Sequence, residues 1–166
     1  MSAVRSLREV WVADEGATVT AFVDAQRAAI AALCNGLTEE QARRRLVPSR
    51  TTVLGILKHA IRVEKVWSLE AVTGVDRDAQ GLPANDDSFL LADDDSIGSV
   101  RAAFEAAVAE SRAVFDGLAL DDLAPHWVNG GPVTIRWVLS HLVAEYARHL
   151  GQADILREQL LATDDA

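Results

Sequence analysis

Apolar residues recur along this chain at intervals of three and four, the period of a helix that buries one face. Val19, Phe22, Val23, Ala29, Ile30 and Leu33 mark a first helix from about Asp14 to Asn35, with Gly36 as its stop signal. Thr38-Glu39-Glu40-Gln41 then has the form of a capping box at a short helical turn. A second long helix is predicted from Thr51 or Thr52 to Gly74, and a third from Ser96 to Gly117, carrying Val100, Phe104, Ala107, Val108, Ser111 and Phe115. Between them, Gly81, Pro83, Asn85 and a run of aspartates make Val75 to Asp95 a long loop. A second loop holds Pro125, Gly130, Gly131 and Pro132, and the fourth long helix starts at Val133 or Thr134 and runs to about Leu161. No segment shows strand alternation. Four striped helices without a sheet predict an all-α fold, a four-helix bundle formed by residues 1–166 as a single domain. The connections are too long to force an up-down-up-down order.

Composition narrows the functional classes. Apolar residues are 49% of the 166 and charged ones 25%, enough for a real core. The formal charge of −9 disfavours nucleic acid as a partner. The single cysteine, Cys34, excludes an internal disulfide and reads as a small core residue. No apolar run reaches the length of a membrane span, and Arg5, Arg8 and Glu9 break the opening segment, so the expected location is cytoplasmic.

Chemistry concentrates in four histidines: His59, His126, His141 and His149. On a helical wheel with His149 as zero, Glu145 falls at about −40° and His141 at about −80°. Ile135, Val138, Leu142, Ala153, Leu156 and Leu160 fall between about −20° and +40° on the same wheel. Glu145 and His149 therefore border the buried stripe of the last helix, with His141 at its margin. On the second long helix, Ile56, Ala60, Val63, Val66 and Trp67 lie within about −20° to +100° of His59, which places that histidine at a buried edge too. A buried carboxylate needs a partner. Two imidazoles and one carboxylate meeting inside a bundle would satisfy one another around a divalent cation, and the set suits zinc with an open position or a non-haem Fe(II) site. The spacing alone also allows a surface Glu–His pair and a hydrogen-bonded core histidine.

The segment Arg136-Trp-Val-Leu-Ser-His141-Leu-Val-Ala-Glu145-Tyr-Ala-Arg-His149-Leu-Gly-Gln-Ala-Asp154-Ile-Leu-Arg-Glu158 resembles the last helix of the DinB-like superfamily. It is most similar to the branch that includes mycothiol- and bacillithiol-dependent S-transferases. Thr52-Val-Leu-Gly-Ile-Leu-Lys58-His59-Ala-Ile-Arg-Val-Glu64-Lys-Val-Trp67 resembles the second helix of that family, and the likeness continues through Ser111-Arg-Ala and Leu118-Ala-Leu-Asp-Asp122. The resemblance implies a bundle, commonly a homodimer, whose metal is held by residues matching His59, Glu145 and His149. Many relatives carry histidine at the middle position, whereas an acid there is the pattern of the mycothiol-dependent isomerase type. Zinc is the expected metal, with nickel, iron and manganese as alternatives. The implied reaction is attack by a low-molecular-weight thiol, activated at the metal, on a small electrophile. An excess of arginine over lysine, 14 to 2, is typical of GC-rich coding and favours mycothiol over bacillithiol. None of the three ligands would be a nucleophile. His141 could orient a ligand or a bound water, or serve as a cap or surface residue; His126 and Trp127 could rim the pocket or plug the bundle end; Arg136 and Arg148 could pair with surface acids or contact a substrate anion. Rival readings are a metal-dependent hydrolase, for which no general base is evident, and a non-catalytic, stress-related metal-binding bundle.

Overall fold

A computed structural model of the chain describes residues 7–126 and 131–164. Helix α1 spans Glu15–Ala31 and starts at Asp14, whose side chain accepts from the Ala17 N–H at 2.8 Å. The chain turns after it through Gly36, at φ 78°. Helix α2, Glu39–Arg43, carries the expected reciprocal capping box between Thr38 and Gln41. Helix α3, Val53–Lys65, is capped by Thr52 and continues as a π-helix over Val66–Thr73, a change of winding that the periodicity does not show. Near the change, the Ser68 hydroxyl donates to the Glu64 carbonyl at 2.7 Å, engaging the acceptor that the α pattern would use. The segment ends at Gly74 with φ 77°, and a Cβ there would sit 3.0 Å from the His126 ring, so both backbone and space require glycine.

Helix α4, Ile97–Phe115, has a capping box of its own between Ser96 and Ser99. Helix α5, Ile135–Asp164, is the longest. Two departures from the pattern-based reading occur beside it. Leu123–Ala124 (β1) and Val133–Thr134 (β2) form a two-residue antiparallel ladder, pairing Leu123 with Thr134 and Ala124 with Val133. Such a short ladder gives no alternation to read, and it delays the helix start to Ile135. The long loop also contains a 3₁₀ turn, Asp86–Phe89, that matters for the site. Among the described residues no helix is long and apolar enough to cross a membrane.

Side-chain pairings give the helix directions. Arg136 meets Glu15 while Arg157 meets the Leu33 and Asn35 carbonyls, so α1 and α5 run parallel. Lys58 pairs with Asp95 and Lys65 with Glu110, so α3 and α4 are parallel. Asp24 meets Arg112 and Asn35 meets Arg101, which sets α1 antiparallel to α4. The order is thus up-down-down-up, and the long loop between α3 and α4 is the crossover that two parallel neighbours require. Helix α1 packs mainly on α5, and α3 on α4, with α3 also against α5. Every stripe residue named above on α5 (Ile135, Val138, Leu142, Ala153, Leu156, Leu160) is buried, as are Ile56, Ala60, Val63, Val66 and Trp67.

A polar knot crosses this core. Glu64 of α3 is fully buried and accepts from Arg27 of α1 through both oxygens, at 2.8 and 2.7 Å. The Tyr146 hydroxyl of α5 donates to the same carboxylate at 2.6 Å, and Arg27 also donates to Ser111 of α4 at 3.0 Å. All four long helices are thereby joined at one level. Burial opposes the Arg27 charge, but the Glu64 hydrogen bonds and charge outweigh it and raise the pKa; burial, then Glu64, raises that of Tyr146. Because removal of one partner strands a buried charge, Arg27→Met is expected to lower the unfolding free energy by about 3–5 kcal/mol in urea titrations. Arg27→Met combined with Glu64→Leu and Tyr146→Phe should recover most of that loss. A single variant within about 1 kcal/mol of wild type would show that the knot is not holding the helices.

Candidate metal centre

The α3 and α5 stripes meet on an antiparallel seam, and there His59, Glu145 and His149 converge. One ligand atom from each lies within 4.8 Å of the other two. His59 Nε2 is 3.5 Å and His149 Nε2 is 3.1 Å from the same Glu145 oxygen, Oε1. His59 and His149 are buried and Glu145 is nearly so, with 12% of its side chain exposed. The other oxygen, Oε2, pairs with Arg148, so this arginine finds its acid within the cluster itself. Arg136 pairs with Glu15 and Asp121 on the surface, as its position suggests.

The surroundings fix which ring nitrogens carry protons. The Ser88 hydroxyl donates to the Asn85 carbonyl, so toward His59 Nδ1, 2.7 Å away, it can only accept. Nδ1 therefore bears the hydrogen and Nε2 holds a lone pair. At His149 the Gln152 amide oxygen, 2.9 Å from Nδ1, accepts in the same manner. The His59 Nε2 lone pair then faces the same carboxylate oxygen that His149 Nε2 hydrogen-bonds, an arrangement that a shared positive charge makes favourable. Burial lowers the His59 pKa, which opposes supplying that charge as an imidazolium proton. Hydrogen bonding to His149, and then the nearby His59 ring, outweigh burial and hold the Glu145 carboxyl far below the usual carboxylate range. His59 Nε2 is fully buried and makes no hydrogen bond. An orphaned acceptor aimed at a carboxylate and a second imidazole fits a divalent cation: three donors of the N, N, O type, each oriented from behind.

Aromatic rings wall the seam. Phe89 stacks on His59 with centroids 4.1 Å apart and lies 5.7 Å from His149. Its backbone passes so close to α3 that a Cβ at Gly55 would stand 2.7 Å from the Phe89 carbonyl oxygen. One turn from Glu145, His141 stacks face to face on Trp137 at 5.1 Å and meets Trp67 at 4.3 Å. Burial lowers its pKa. His141 is thus part of an aromatic cluster flanking the centre. His126 lies apart, its N–H bonded to the Ala71 carbonyl, and Trp127 falls outside the described residues. Cys34 is buried in the core, and burial pushes its thiol up to about 11.

The sequence pattern does not single out Ser88, Phe89 or Gln152. Gln152 stands three residues after His149, a helical spacing that could have flagged it. Ser88 reaches His59 only through the folding of the crossover loop, and no local pattern announces it.

A bundle with parallel and antiparallel neighbours in this order, holding an inward His-Glu-His set on its α3–α5 seam, is of the DinB-like class. The sequence model of the mycothiol S-transferase family matches residues 18–162, and the chain belongs to that family. No curated protein matches it.

Ser88→Ala removes the acceptor behind His59 without touching the three converging atoms. It is expected to weaken metal affinity about 10–100-fold in competition with a chelator, with helicity unchanged. Unchanged affinity would mean that Ser88 does not orient the ring.

Proposed function

We propose that this protein is a metal-dependent mycothiol S-transferase in which His59, Glu145 and His149 hold one divalent cation. The observation that carries the proposal is the buried, unbonded Nε2 of His59 facing Glu145 and the second imidazole. Zinc suits a set of two neutral imidazoles and one carboxylate with a position left for a substrate atom. Bound there, the cation supplies a positive charge that favours the thiolate form of a cofactor thiol.

The protein's own groups do the rest. Ser88 and Gln152 hold the two imidazoles in the tautomer that presents Nε2. Glu145 stays ionised, and Arg148 binds its outer oxygen. Phe89 on one side and Trp67, Trp137 and His141 on the other restrict water around the centre, which strengthens every charge interaction inside it. The thiol sulfur forms a bond to an electrophilic carbon while the leaving group departs with its electron pair and the thiol proton passes to solvent. The proposal includes a cytoplasmic, single-domain enzyme that works as a homodimer.

Mycothiol and monobromobimane provide the test, with metal-stripped protein as the control. Conjugation by the metal-loaded protein should exceed that of stripped protein or of Glu145→Ala by on the order of 10²-fold, and re-addition of zinc should restore it to stripped wild type. Equal rates with and without metal, or none above the uncatalysed reaction, would refute the transferase reading. Release of product without thiol would favour hydrolysis instead.

A further inference from the structure

The charge of this chain is unevenly distributed. Residues 41–63 contain six of the sixteen cationic side chains and none of the 25 acidic ones. Four of the six are Arg43, the last residue of α2, and Arg44, Arg45 and Arg50 in the connection to α3. Three of these line a cavity of about 240 Å³ together with Thr52 and Phe89.

The cavity has fixed and exchangeable parts. Arg43 is anchored by the carbonyls of Ala92, at 2.9 Å, Asp93 and Asp95. Thr52 is buried, and its oxygen accepts from the Gly55 N–H at 2.9 Å, which leaves its own hydroxyl hydrogen to donate. The positive end of the α3 dipole opens at the same place. Arg50 pairs with Asp87, but both side chains are more than half exposed, and such a pair is readily exchanged for another anion. Arg45 is exposed and has no ion pair among the described residues. Guanidinium groups match the paired oxygens of a carboxylate or phosphate. Phe89 joins this cavity to the metal centre, because the same residue that lines the cavity stacks on His59. From Thr52 to His59 is seven residues of helix, a rise of about 10 Å.

We propose that this cavity is an oxyanion subsite. It takes a terminal carboxylate or phosphate of the electrophilic substrate, whose reactive carbon then lies about 10 Å away beside His59. The choice of substrate rests on the transferase reading; binding of the anion does not.

Two measurements separate these claims. Calorimetry with succinate and with inorganic phosphate should show binding to the purified protein and to its Glu145→Ala variant, which places the anion away from the metal. The tighter of the two probes identifies the headgroup. Arg45→Ala combined with Arg50→Ala should weaken binding about tenfold or more, with helicity and metal content unchanged. No binding of either probe to wild type, or equal binding to the double variant, overturns the subsite. In the kinetic arm, a pair of electrophiles differs only in a distal carboxylate or its methyl ester. The acid should show a KM about tenfold lower than the ester, with similar kcat, and the double variant should erase the difference. Anion binding without any thiol transfer would sustain the subsite and refute the transferase reading. Transfer without charge preference and without anion binding would do the reverse.

Discussion

Two imidazole nitrogens and a carboxylate oxygen are brought together inside an apolar bundle, and hydrogen bonds behind the rings orient them. Ser88 and Gln152 accept hydrogen bonds from the two Nδ1 atoms, and Nε2 of each histidine faces Glu145. Within a medium of low polarity such a confrontation is costly unless a positive charge lies between the groups. The position of the crossover loop, the seam between α3 and α5 and the stacking of Phe89 all gain their meaning from that requirement.

The helices that present these groups are held in rotation by the knot of Arg27, Glu64, Tyr146 and Ser111. Tyr146 follows Glu145 directly in sequence, and Glu64 lies little more than one turn beyond His59. A hydrogen bond between them fixes the facing of α3 and α5 at the level next to the candidate metal centre. Arg27 supplies the charge that makes a fully buried Glu64 tolerable, and it does so from α1, on the far side of the core. A core of hydrophobic residues alone would tolerate small rotations of one helix on another; a bidentate ion pair with directional bonds does not.

Much of this was legible in the sequence because helical periodicity is local. Val138, Leu142, Ala153 and Leu156 declare the buried face of α5, and the same wheel sets Glu145 and His149 beside it. His59 could be placed at a buried edge, but the meeting of α3 with α5 is a matter of topology, and only the family likeness joined the three. The ladder between Leu123–Ala124 and Val133–Thr134 is too short to show a period of two. The π winding over Val66–Thr73 keeps the same residues apolar and so leaves no mark. Ser88 and the Arg27–Glu64 pair stayed hidden because each depends on contacts between residues distant in sequence, where composition offers no sign. Arg148 was expected to find an acid on the surface, and it finds Glu145.

The central claim is that this trio exists to hold a cation, and elemental analysis of protein purified without added metal tests it most directly. Close to one transition-metal ion per chain, absent from His149→Ala protein that keeps its helicity, is the predicted result. A metal-free wild type that also takes up no zinc on titration, or a His149→Ala variant with full occupancy, would contradict it.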